Sequence, residues 1–122
     1  MDEGPWSIRV ERTHAAVAGN ARLARTWSSR LIGLLGRRGL EPGEALILPR
    51  CRSIHTFGMR FVFDAIFVDR AWRVVALRPD LSPWRLVLPV WGAWGVIEAA
   101  RGTVARAGLR VGDQLRVMPG TP

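Results

Sequence analysis

The chain has 122 residues, with 18 arginines, no lysine, 10 acidic residues and a formal net charge of +8. That length suits one domain with its own core, and an apolar share of 48% excludes wholesale disorder. Cys51 is the single cysteine, which excludes an intramolecular disulfide and fits a reducing compartment.

The N-terminus opens Met-Asp-Glu-Gly-Pro, acidic and broken by proline, with no apolar signal behind it. No uninterrupted apolar run approaches the ~20 residues of a membrane span. The expectation is a cytoplasmic protein with no membrane partner. A basic balance permits nucleic-acid contact. The arginines, however, run from Arg9 to Arg116 without a basic tail, and Arg37-Arg38 is the densest pair. Exclusive use of arginine fits coding bias or thermal adaptation as well as it fits a binding device. Nucleic acid is thus a permitted but unfavoured partner.

Trp6 to Arg12 alternates apolar and polar residues, the pattern of a half-buried strand. Gly19-Asn20 reads as a turn, with Ala21 to Arg25 returning as the second arm of a hairpin. Thr26 or Ser28 can cap a helix over about 27–37, where Trp27, Leu31, Leu34 and Leu35 form one apolar stripe and Gly39 ends the run. Glu41 to Glu44 is a turn, and Ala45 to Leu48 a short buried strand stopped by Pro49. From Phe61 to Val68 every position but Asp64 is apolar, which predicts a strand covered on both faces. Alternation sets Val62, Asp64, Ile66 and Val68 on one face and Phe61, Phe63, Ala65 and Phe67 on the other.

Asp69 to Trp72 turns the chain into Arg73 to Arg78, a second hairpin. Pro79 to Pro83 reads as a loop, and Trp84 to Leu88 as another alternating segment. Trp91-Gly-Ala-Trp-Gly predicts a bend against the core. Val96 to Ala100 is a strand carrying Glu98, Thr103 to Ala107 a short helix closed by Gly108, and Gln114 to Met118 the last strand. Together these predict a β-rich α+β domain spanning 1–122 with its core at about 6–118. The expected architecture is a partly closed barrel or strongly bent, mostly antiparallel sheet with one main and one short helix.

Four pieces in order carry a family resemblance: Arg30 to Arg37 with its Gly33-Leu34-Leu35 centre; Met59-Arg60 running into Asp64 and its apolar strand; Ile97-Glu98 with Gly102; and Gly112-Asp113. Over roughly residues 20 to 117 the chain resembles the DUF192 (UPF0127) family. It is similar to a shorter branch with Ile-His-Thr-Phe-Gly-Met. Many members read Phe-Trp-Met-Lys-Asn-Thr where this chain has Thr-Phe-Gly-Met-Arg-Phe, and Val62 stands where the family has proline. The resemblance implies a compact β-rich fold and no assigned activity.

A carboxylate among apolar neighbours needs partners, so Asp64 is the first candidate site residue, with His55, Met59, Arg60, Glu98 and Arg30 around it. Its alternative is structural, bonded to Arg30, Arg60 or backbone amides. Cys51, His55 and Met59 recur at intervals of four, a donor set that suits a soft metal. No Cys-x-x-Cys or His-x-x-x-His accompanies them, and no metal or cofactor is implied. Trp84, Trp91 and Trp94 read as core packing, with a ligand cleft or base stacking as the alternative.

The leading functional reading is a non-enzymatic binding module with a polar pocket around Asp64 for a small ligand or peptide. One alternative is a hydrolase- or transferase-type enzyme using Asp64 or Glu98 with His55, which requires those groups to converge. The other is a basic nucleic-acid-binding domain with a continuous arginine face.

Overall fold

A computed structural model describes residues 1–25 and 39–120. The helix expected over about 27–37 lies outside the described residues. Among the described residues, nine strands and one helix follow in chain order: β1 (Trp6–Val10), β2 (Ala16–Leu23), β3 (Glu44–Leu48), β4 (Ile54–His55), β5 (Phe63–Val68), β6 (Val74–Leu81), β7 (Leu86–Val87), β8 (Gly95–Ala100), α1 (Thr103–Ala107) and β9 (Leu115–Pro119). Seven strands form one sheet in the order β6-β5-β8-β3-β2-β1-β9, and β4 pairs with β7 separately. Every pairing is antiparallel except β2 with β3.

The seven-stranded sheet curls until its two edge strands meet at one end. Arg73 bridges Gln114. The Val74 N–H donates to the Asp113 carbonyl at 2.8 Å, and the Gly112 and Leu115 N–H groups return bonds to Val74 and Trp72 at 2.8 and 3.0 Å. The result is the half-barrel that the strand pattern predicts, β-rich with one short helix among the described residues.

The central strands β5 and β8 are buried at every position, because each face of the sheet carries its own core. Ile66, Val68, Ile97 and Ala99 point into the barrel interior with Ile8, Val17, Ile47 and Leu115. Phe63, Ala65, Phe67 and Val96 point the other way, into a cluster with Leu48, Ile54, Met59, Phe61 and Val87 from the covering loops. The alternation read from residues 61–68 is therefore the observed one. At the start of β8 the chains approach closely: a Cβ on Gly95 would stand 2.9 Å from the Leu48 carbonyl oxygen.

Three local expectations are corrected. The first hairpin turns at Glu11 to His14, not at Gly19-Asn20. Trp6 pairs with Ala21 but Ile8 with Ala18, so one extra residue on β2 falls at Gly19-Asn20 and makes a bulge there. On its other edge β2 aligns in parallel with β3, from Asn20↔Glu44 to Leu23↔Ile47. Second, β6 runs through Pro79, where a loop is expected; an edge strand tolerates proline because its outward N–H needs no ladder partner. Third, the alternating segment 84–88 yields only the two-residue β7, and Trp84, read as core packing, is exposed with Leu86 and Leu88 while Val87 is buried.

Candidate functional site

Asp64 is buried on β5, and backbone amides occupy both of its oxygens. Oδ1 accepts the Asp80 N–H at 3.0 Å and Oδ2 accepts the Val104 N–H at 2.9 Å. The second contact explains the residue. Helix α1 begins after Gly102, which sits at φ 89 and has no side chain with which to cap. A carboxylate from the neighbouring strand supplies the acceptor instead. The first contact fastens the far end of β6, where Asp80 takes φ 53 and its own carboxylate meets Arg101 Nε at 2.9 Å on the surface. Asp64 thus joins β5, β6 and α1. Its two oxygens carry the backbone-amide bonds that the structural alternative expects.

Glu98 is also wholly buried, but on the opposite face of the sheet. Asp64 stands beside Ala99, which belongs to the interior cluster, whereas Glu98 stands beside Ala65 and Leu46, which pack in the outer one. One sheet thickness separates the two side chains, so they share no reacting point. The convergence that an Asp64/Glu98 enzyme requires is not what the strand register delivers. Met59 and Ile54 lie in the outer cluster, on the Glu98 side, and His55 follows on β4 opposite Leu86. Arg60 is exposed, and Arg30 lies outside the described residues.

The backbone between Cys51 and Met59 is bend, strand and turn, so intervals of four do not line those side chains up on a helix face. The Cys51 thiol donates to the Ser53 carbonyl at 2.9 Å. Among the described residues, no group of three His, Cys, Asp or Glu side chains is arranged to hold a metal ion.

What the sequence reading did not assemble is a cleft of about 890 Å³ on the outer side, lined by Arg50, Arg52, Asp69, Arg70, Trp91 and Trp94. Three loops build it, and backbone bonds lash them together. The Cys51 N–H reaches the Trp94 carbonyl at 2.8 Å, the Val90 N–H the Arg52 carbonyl at 2.8 Å, and the Trp94 N–H the Val68 carbonyl at 2.7 Å. Trp94 is half-buried and meets Trp72 edge-on at 5.6 Å. Trp91 is 93% exposed, which overturns its reading as core. Asp69 spends Oδ1 on the N–H groups of Ala71 and Arg73, at 2.9 Å each, holding the turn that carries Arg70. None of the guanidiniums of Arg50, Arg52 and Arg70 is held by a carboxylate among the described residues.

A second assembly lies beside it. Thr56 is buried and clamps the segment that follows β6. Its Oγ1 donates to the Ser82 carbonyl at 2.7 Å and accepts the Arg85 N–H at 2.8 Å, while its own N–H reaches the Arg85 carbonyl at 2.9 Å. Trp84 is thereby held at φ 63, in the left-handed region that bulky residues avoid. Its ring stacks on Phe57 at 5.9 Å, and Phe57 stacks on His55 at 4.9 Å.

The DUF192 family model, described as uncharacterized ACR, matches residues 8–117. The chain belongs to the DUF192 family. A UPF0127 protein of Thermococcus sibiricus is 32% identical over 111 residues, covering 87% of this chain and 71% of the relative. A UPF0127 protein of Pyrococcus horikoshii is 35% identical over 104 residues, covering 80% and 87%. Among solved structures, a protein of unknown function from Novosphingobium aromaticivorans superposes with a TM-score of 0.74 at 25% identity, covering 92% of this chain and 83% of that one. A putative transcription regulator from Sinorhizobium meliloti gives 0.75 at 21% identity, covering 92% and 91%. The DUF192 half-barrel is thus shared with these neighbours, and the family as described carries no assigned activity.

Proposed function

We propose that this DUF192 member is a non-enzymatic binding module for a small anionic ligand, seated in the cleft between Arg50, Arg52, Arg70, Trp91 and Trp94. The observation behind this reading is the set of three guanidiniums, from two separate loops, that no carboxylate of the described residues holds, beside two indoles in one concavity. Guanidinium presents a planar fork matched to carboxylate or phosphate oxygens, and an indole face beside it covers the apolar part of a ligand. The sole carboxylate in the lining, Asp69, is engaged with its own turn. The nucleic-acid alternative is weakened because many arginines serve the fold itself: Arg12 binds Asp113, Arg101 binds Asp80, and Arg106 binds the carbonyls of Ala16 and Val17.

Titration of small carboxylates and phosphate monoesters, followed by tryptophan fluorescence, tests the reading. A saturable change is expected for at least one of these anions. Arg52→Ala combined with Arg70→Ala should weaken it about tenfold or more, the worth of one to two charge-assisted bonds. Silence across the anion series, or a response indifferent to the double substitution, sinks the reading.

A further inference from the structure

We infer that the outer face of the β4–β7 pair is a contact surface for an anionic lipid bilayer. Trp84, Leu86 and Leu88 are 70%, 62% and 71% exposed, and Leu86 pairs with His55, whose ring stacks through Phe57 onto Trp84. Phe57, 45% exposed and stacked on Trp84, extends the same face. Trp84, which the sequence reads as core packing, is instead in water with Leu86 and Leu88, a costly arrangement for a surface with nothing to meet. The clamp from Thr56 holds it so, at a strained backbone angle for Trp84.

Charge selects the partner. Arg78 and Arg85 line the same cleft as Leu86 and Leu88, and the carboxylate in that lining, Asp80, is engaged by Arg101. A second copy of the chain would bring these arginines against each other across a self-complementary contact, with Asp80 already engaged by Arg101. Single-stranded nucleic acid would use the aromatic rings, but Leu86 and Leu88 offer no stacking plane. Trp, Phe and Leu protruding beside arginines match the boundary between acyl chains and anionic headgroups. This is contact rather than crossing: no helix among the described residues is long and apolar enough to span a membrane. It stands independently of the anion cleft.

Cosedimentation with phosphatidylcholine vesicles, with and without phosphatidylglycerol, is the test. Binding is expected only to the phosphatidylglycerol vesicles, weakening as salt is raised. The double variant Trp84→Asn, Leu88→Ser should bind them about tenfold or more weakly, because the inserted apolar area is gone. Asn accepts the φ of position 84 and both sites are exposed, so the fold is preserved, and an unchanged small-anion response of the cleft would confirm it. Three results would overturn the inference: no binding to anionic vesicles, equal binding by the double variant, or a self-association or oligonucleotide affinity of the native chain that the double variant loses in place of vesicle binding.

Discussion

Replacing Asp64 by alanine is expected to destabilise the fold by about 3–6 kcal/mol, since a charge-assisted hydrogen bond to a buried group contributes roughly 1.5–3 kcal/mol and two are lost. The amides of Asp80 and Val104 would be left facing a small apolar void. Helix α1 is five residues long and starts at a glycine that offers no cap, so little else holds its first turn. Asp64→Asn tests geometry against charge. It preserves one acceptor but turns an NH₂ toward the other amide, and should cost about 2 kcal/mol as one bond becomes a donor–donor clash. Urea unfolding gives both values. Hydrogen exchange at Val104 and Asp80 should accelerate in the Asn variant before global unfolding does. A cost below about 1 kcal/mol for Asp64→Ala would remove the capping account. Because Asp64 faces away from the anion cleft, neither variant should alter the ligand response of the fraction that remains folded.

Much of this architecture could be read from residues whose environment is local. A continuous apolar run predicts β5 with both faces covered, and the two cores confirm it. Asp69 predicts the turn it holds, Gly108 closes α1 at φ 62, and Asp113 accepts a turn N–H as its position after Gly112 suggests. Asp64 was recognisable as a carboxylate in need of partners. Which partners it found depended on α1 packing beside β5, a contact between residues 40 apart in the chain.

The misread parts are those in which the pattern has a period but no sign. Trp84, Leu86 and Leu88 alternate correctly, yet alternation alone does not say which set faces the core. Thr56 decides it, from 29 residues away, by bonding Arg85. Gly19-Asn20 suits a turn and a bulge equally well, and the register of β1 with β2 is what makes it a bulge. Asp64 and Glu98 each sit correctly within their own strand. Their relative side follows from the register Asp64↔Ala99, which neither strand encodes by itself. The cleft is a further step removed, since Arg50, Arg52, Arg70 and Trp91 meet only once three loops are bonded to one another.

Acid is expected to open the barrel at the seam between β6 and β9. Asp113 is buried there, and Arg12 grips it with two nitrogens, Nε to Oδ1 at 2.8 Å and Nη2 to Oδ2 at 3.1 Å, while the Arg110 N–H reaches Oδ2 at 2.8 Å. The Arg12 fork holds the Asp113 carboxyl below the usual aspartate range; burial opposes this, and the Arg110 amide adds to it. A carboxyl with a depressed folded-state pKa contributes stability in full above its unfolded value of about 4, and loses it as pH falls through the lower folded value. The Asp113 carbonyl receives Val74 and the Gly112 amide donates back, so protonation weakens the turn that stitches the two edges. Asp113→Asn should therefore cost about 2 kcal/mol at neutral pH, the worth of its charge-assisted bonds. Measured as urea midpoints from pH 7 downward, the native and variant curves should begin to approach each other at about pH 4 and meet only below the depressed folded-state value. Curves that stay parallel to the acid limit would mean that another carboxylate governs the acid limb. Arg12→Gln provides the second check: it removes the fork but keeps the backbone turn, so the acid dependence should shrink while the Arg110 contact survives.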